Sequence, residues 1–293
     1  MTGRDEANPP VAMTIAGTDS GGAAGVAADL CTFASLGVHG TCVVTAVTAQ
    51  DTTAVHAVAV IEPELVARQI EVVVEDLRPR AAKTGMLATR DIVELVAGKA
   101  AAGELPDLVV DPVMVASSGD RLLDEGAEAS YRTLLRHALV ATPNVAEASV
   151  LVGDPLDTVE DVLDAEDALR ELGVPWLVVT GGDTPGGQSP GGGGAVDCVF
   201  GPYGSHILEE PRIPTPNVHG SGCTFSAAIT ALLACGLDPD SAIRRAKRFV
   251  TERIALSAGW RLGAGRGPVA HVFVSPPSSE LPEGRHEDQP SDS

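Results

Sequence analysis

The chain has 293 residues, of which 44% are hydrophobic and 20% charged; this is enough apolar surface for one sizeable core, and with 3% aromatics that core must be aliphatic. Its formal net charge of -20 argues against sequence-independent binding to nucleic acid or to an anionic membrane, since both need a basic surface that neutralises phosphates. Five scattered cysteines without a CxxC pair point to neither a disulfide framework nor a zinc site, and no run reaches the roughly 18 apolar residues of a membrane span, so a cytoplasmic protein is expected.

Residues 1–10 are polar and acidic, unlike a signal peptide, and are expected to be disordered. Over 11–274, short Val/Ala/Ile-rich runs alternate with longer amphipathic stretches. MTIAG, TCVVTAV, AAKTGM, LVVDPV, LVATPN and WLVVTGG read as buried strands, and the stretches between them as helices. Strands joined through helices imply right-handed crossovers, hence an α/β fold with a mostly parallel sheet covered on both faces. Past Gly182 the pattern changes. GGDTPGGQSPGGGG predicts a flexible loop over Gly181–Gly194, and AVDCVFGPYGSHILEEPRI predicts an antiparallel hairpin turning at Gly201–Gly204. Helices from about Gly220 and about Asp238 close the domain, and residues 275–293, rich in Pro, Ser and acid, are expected to be disordered.

In such sheets ligands sit at the carboxyl ends of the strands, and the chemically suggestive residues fall there: Gly17, Met86, Asp111, Thr142, Asn144 and the Gly181–Gly182 pair. GTDSGGAAG at Gly17–Gly25 joins a strand to a helix but lacks the GxGxxG spacing, and no Walker A loop is present. HGSGCTFSAA, starting at His219, is a glycine-rich turn opening a helix, which aims free amides and a positive dipole end at one point and suits phosphate. Cys223 would stand beside that anion; its plainer reading is a small buried hydrophobe. Asp111 is either a cap ahead of Pro112 or a magnesium ligand acting through water, and Glu147 is either a helix-capping carboxylate or the same. Gln50 offers a donor and an acceptor to a heterocycle edge, or is simply a solvated loop residue. His219 and His271 are assigned no chemistry.

Read together, IAGTDSGGAAGVAADL, TAVTAQDT, KTGML, VVDPVMVASSGDRLL, TPNVAEASVL, TGGD, HGSGCTFSAAI and GRGPVAH resemble, over roughly Val11 to Phe273, the hydroxymethylpyrimidine and phosphomethylpyrimidine kinases of thiamine biosynthesis, members of the ribokinase-like group. The resemblance implies a ribokinase-like three-layer α/β/α sandwich that uses ATP and Mg2+ to phosphorylate a hydroxymethylpyrimidine and then its monophosphate. By position it implies that Gln50 pairs with the aminopyrimidine edge, that Gly17 and Asp29 help hold it, and that Met86 and Val113 flank the ring. Asp111 and Glu147 would arrange the Mg2+, with Asn144, Thr180 and Gly182 on the nucleotide side. Gly220, Ser221, Gly222 and Cys223 would form the anion hole, with Cys223, its thiol pKa lowered by helix amides, accepting the hydroxyl proton. A homodimer is the expected assembly.

The chain departs from the family pattern at Ala27 and Cys31, where glutamine and lysine are usual, and at Thr180 and Asp183, where KGGH is usual. It also has Arg266 and Ala270 in place of a histidine and an asparagine. Only three lysines occur in all, Lys83, Lys99 and Lys247, so a drift away from lysine explains some of this. Arg266 either restores a cation near the phosphates or is a surface arginine. The competing readings are a pyridoxal kinase and a ligand-binding sensor that kept the fold and lost turnover.

Overall fold

Alternation along the strands decides the architecture. In the computed structural model, which describes residues 8–114, 126–182 and 194–272, Ala12, Ala81, Val109, Val140 and Val178 are buried in one apolar layer, while Met13, Ala82, Val110, Ala141 and Val179 are buried in another. Neighbouring residues of a strand point to opposite faces, so both faces of the sheet are covered. Residues 1–7 and 275–293 of the expected disordered ends, Asp183 and most of the glycine loop lie outside the described residues, whereas residues 8–10 are described and the Pro10 carbonyl accepts the His39 amide at 2.8 Å.

The sheet comprises β1 (Val11–Ala16), β2 (His39–Val44), β5 (Ala81–Thr84), β6 (Val109–Val110), β7 (Val140–Ala141) and β8 (Trp176–Thr180), followed by the hairpin β9 (Gly194–Gly201) and β10 (Gly204–Pro211). Their order is β10-β9-β8-β7-β6-β5-β1-β2, parallel except at the two pairings of the hairpin. Helices α1 (Gly25–Ser35), α8 (Ser221–Ala234) and α9 (Pro239–Ser257) bury Phe33, Phe225 and Ile243 on one face. Helices α2 (Pro63–Leu77), α3 (Arg90–Ala101), α4 (Glu128–Leu135) and α5 (Val145–Val152) bury Ile70, Ile92, Leu134 and Leu151 on the other, with α6 (Val159–Asp164) and α7 (Glu166–Arg170) at the β8 end. The three-layer α/β/α fold expected from the sequence is therefore present. No helix among the described residues is long and apolar enough to cross a membrane.

Strand order reverses at β1, which has β2 on one side and β5 on the other, creating a crevice at the strand ends. TCVVTAV does not stay one strand. At Thr45 the chain leaves the sheet, with the Thr45 amide donating to the Ala16 carbonyl at 3.1 Å and its hydroxyl to Met86 at 2.6 Å. It continues as β3 (Ala46–Gln50), which pairs antiparallel with β4 (Val55–Val60) in a separate two-stranded flap. β4 was expected to be helical. It has no buried face whose period would mark a strand, since five of its six residues are exposed and only its pairing to β3 defines it.

Candidate active site

A cleft of ≈ 250 Å³ opens at the carboxyl ends of the parallel strands and runs from the flap to the β9–β10 hairpin. At the flap end its wall is Gly17, Gln50, Met86 and Val113. The Gly17 amide donates to the Met86 carbonyl at 3.1 Å, and a Cβ at Gly17 would meet the Met86 sulfur at 3.0 Å, so any side chain there would press on Met86 where the ends of β1 and β5 meet. Met86 and Val113 pack with Ala46 and Ala88 into an apolar wall suited to a methylated ring. Gln50 ends β3, and among the described residues its side-chain NH2 donates to no protein group, so an amide donor remains for a ligand.

Asp29 does not join them. It lies fully buried beneath α1, where Oδ1 accepts from Lys83 Nζ at 2.8 Å and Oδ2 from the Thr14 hydroxyl at 2.6 Å, and it is not part of the cleft wall. A carboxylate on the inward face of a helix must find a partner inside, and the partner here is a lysine of β5.

At the centre of the cleft α8 begins. Gly220 adopts φ +84°, and a Cβ there would overlap the Ala23 carbonyl oxygen, so the turn admits only glycine. No side chain caps α8; the Ser221 amide donates to the Val218 carbonyl at 3.1 Å, and the next amides of the first turn, Gly222 and Cys223, are left to an anion. Cys223 lines the cleft as expected, but the expected fall in its pKa is not found. Burial pushes the thiol up to about 12, and although Lys83 pulls it down, Asp29 and Asp111 raise it further. The Gly25 amide bonded to the sulfur is too weak an offset.

Asp111 and Glu147 face this point from β6 and α5. Asp111 accepts from the Ser226 hydroxyl at 3.0 Å. Glu147 and Asn144 form a reciprocal capping box, each amide donating at 2.9 Å to the other's side chain, so the capping reading of Glu147 holds together with its place on the cleft wall. Burial raises both carboxyl pKa values, and the Asp111 charge raises Glu147 further. Two buried carboxylates at one cleft suit a cation. Among the described residues no group of three or more His, Cys, Asp or Glu forms a protein cage, which fits magnesium, an ion that keeps its waters and takes substrate phosphates.

The nucleotide-side candidates Asn144, Thr180 and Gly182 also line the cleft. Lys247 of α9 stands on the same wall, paired with Asp197 of β9 at 2.7 Å, while Asp197 accepts the Gly181 amide at 3.2 Å. Arg212 clamps the Gly182 carbonyl through two guanidinium nitrogens at 3.0 and 2.9 Å. The cation missing at Thr180 thus has neighbours that sequence reading did not identify. Arg266 is exposed and is not part of the cleft wall.

Asp19 and His219 are further wall residues that sequence reading passed over. Asp19 accepts from the amides of Gly21, Ala23 and Ala24 and from His219 Nε2 at 3.2 Å, fixing the glycine turn beside α8. Burial opposes its charge, yet His219 and the Gly21 and Ala24 amides hold the carboxyl below its usual value. An aspartate ahead of two glycines is the sequence signal of such a side-chain turn. His271 is kept neutral, its pKa pushed down to about 4 by burial and by nearby Arg253 and His219; Nε2 bonds the Thr224 hydroxyl at 2.9 Å.

The sequence profile of phosphomethylpyrimidine kinases matches residues 19–270. A hydroxymethylpyrimidine/phosphomethylpyrimidine kinase of Synechococcus elongatus is 44% identical over 90% of this chain and 98% of its own length. Among solved structures, an ADP complex of Bacillus subtilis pyridoxal kinase superposes with a TM-score of 0.81 at 38% identity, covering 90% of this chain and 98% of that one. A phosphomethylpyrimidine kinase from Clostridium difficile superposes with a TM-score of 0.71 at 35% identity, covering 84% and 99%.

Proposed function

The chain belongs to the phosphomethylpyrimidine kinase family and is a phosphotransferase, and on that premise we propose that it phosphorylates 4-amino-5-hydroxymethyl-2-methylpyrimidine and then its monophosphate, with ATP, for thiamine biosynthesis in the cytoplasm. The observation that carries this reading is one cleft holding an amide-bearing apolar wall at one end, an uncapped helix start at its centre and two cations at the other end. Phosphoryl transfer needs positioning and charge stabilisation more than covalent help from the protein, and this distribution supplies both.

Gln50 orients the aminopyrimidine edge while Gly17 lets the ring lie against Met86 and Val113. The hydroxymethyl oxygen attacks the γ-phosphorus, the bridging oxygen departs with ADP, and the hydroxyl proton passes to the sulfur of Cys223 in its minor thiolate form. The amides of Gly222 and Cys223 take up the charge spread over the transferring oxygens, with Gly220 and Ser221 shaping the turn that presents them. Asp111 and Glu147 would hold Mg2+ through its waters, where the ion neutralises charge on the ATP phosphates. Asn144, Thr180 and Gly182 flank the nucleotide, with Lys247 and Arg212 behind them.

Incubating the protein with Mg-ATP and the hydroxymethylpyrimidine is expected to give the monophosphate and then the diphosphate, and EDTA is expected to abolish both. Binding without product would support the sensor instead. The superposition on Bacillus pyridoxal kinase favours a second reading, in which pyridoxal is also phosphorylated; comparing kcat/KM for the two acceptors decides between them. A homodimer is supported by Val58 and Val60, which share one face of the flap and are 43% and 44% exposed. Light scattering is expected to read twice the 29.9 kDa chain mass, and a monomer would discard that assembly.

A further inference from the structure

GRGPVAH belongs to the sequence pattern, but none of its residues lines the cleft. Its surroundings account for it. The alternate glycines Gly263, Gly265 and Gly267 lie where side chains cannot fit: a Cβ at Gly263 would overlap the Thr52 side chain, one at Gly265 the Thr52 carbonyl oxygen, and one at Gly267 the Asn217 side-chain oxygen. Thr52 sits in the turn between the two flap strands. Its hydroxyl oxygen accepts two amides from this segment, Ala264 at 3.1 Å and Gly265 at 3.0 Å. Further along, the His219 amide donates to the Gly267 carbonyl at 3.0 Å and the Val269 amide to the His219 carbonyl at 3.1 Å, immediately before the anion hole. Asn217 anchors the root of the segment by donating to the Ser257 and Trp260 carbonyls at 2.6 and 3.0 Å.

A two-stranded ribbon is marginal alone, and β4 buries almost nothing. The flap is otherwise held along β3, where Thr48 donates two hydrogen bonds to Thr18, and at the end of β3, where the Ser20 hydroxyl donates to the Gln50 carbonyl and accepts the Gln50 amide, both at 2.7 Å. We propose that Gly263–Gly267 is a strap that latches the flap turn through Thr52 and ties it to the backbone at His219, making Thr52 a positioning residue for the acceptor bound at Gln50. The strap joins the acceptor end of the cleft to the phosphoryl end. Its role in catalysis rests on the assignment of Gln50 to the pyrimidine.

Thr52→Val keeps the shape of the side chain and removes the acceptor shared by two amides, whereas Thr52→Ser keeps the hydroxyl. The expected result for Thr52→Val is faster hydrogen exchange over residues 46–60 and a KM for the hydroxymethylpyrimidine raised about tenfold, with the KM for ATP within about twofold of the parent. Thr52→Ser is expected to restore both readings, and Gly265→Ala, which presses on the Thr52 carbonyl, to reproduce the Thr52→Val pattern. Unchanged exchange across the flap in both Thr52→Val and Gly265→Ala overturns the strap. Gln50→Ala separates the two ideas when the flap loosens but the pyrimidine KM in Thr52→Val does not move. If Gln50→Ala raises that KM, the positioning role is wrong; if it does not, the strap stands and the acceptor assignment of Gln50 falls.

Discussion

Cys223→Ala is expected to slow phosphorylation of the hydroxymethylpyrimidine by about 100-fold or more, the usual contribution of a positioned base, while phosphorylation of the monophosphate falls by less than about tenfold. A hydroxyl must lose a proton to become the nucleophile, whereas the monophosphate already offers an anionic oxygen. The thiol, pushed up to about 12, is almost wholly protonated near neutral pH, so the population able to accept a proton is small and grows tenfold with each pH unit below that value. The first-step kcat/KM is therefore expected to climb with pH between 7 and 9 in the parent enzyme and to flatten in Cys223→Ala. Separate assays of the two transfers across that range measure both effects. Equal losses in the two steps, with nucleotide affinity intact, would leave Cys223 as a wall of the anion hole and no more.

Lys83→Met is expected to destabilise the fold by about 3–5 kcal/mol, because it strands the Asp29 carboxylate in a site with no access to water. That corresponds to a fall in melting temperature of roughly 10 °C for a chain of this size. Burial pushes the Asp29 carboxyl up against the pull of Lys83 and Thr14, whereas the Lys83 ammonium is held above its usual value by Asp29 despite its own burial. The two tendencies disagree about the pair; the 2.8 Å contact and the Thr14 hydrogen bond favour a charged one. The double variant Lys83→Met/Asp29→Leu is expected to regain most of the loss, since two apolar groups leave no stranded charge. Should the double variant melt as low as the single one, the pair has a role beyond mutual neutralisation. Asp29→Leu alone strands the Lys83 ammonium and is itself expected to lose stability, so the ligand role of Asp29 is tested in the double variant, where it requires a raised pyrimidine KM after stability has been regained.

The strands and their ends were legible because a buried parallel strand is a short aliphatic run that stops at a polar or glycine residue. MTIAG and LVVDP announce Gly17 and Asp111 in that way, and Pro112, which has no amide to donate, truncates β6 to two residues. The flap was not legible, since β4 is exposed and depends on a partner for its conformation. Asp29 misled for a different reason. A helical aspartate gives no sign of which face it occupies until the buried lysine, 54 positions away, is in place. The Asp197–Lys247 pair was equally invisible, being formed between a strand and a helix 50 positions apart. For Cys223, the helix-terminus argument gave the wrong direction of shift, because it counted the helix amides but not burial, which outweighs both them and the Lys83 charge.

The latch between Thr52 and the Gly263–Gly267 segment joins positions 212 and 213 residues apart. On a ribosome the flap therefore emerges early and its latch late, so the acceptor pocket has to wait, held to Thr18 and Ser20 but unlatched, for nearly the entire α/β/α body to be synthesised. Contacts of such long range form slowly, and an early, exposed valine-bearing ribbon is a surface that nascent chains of this enzyme must keep from pairing with one another until the last helix and the strap arrive.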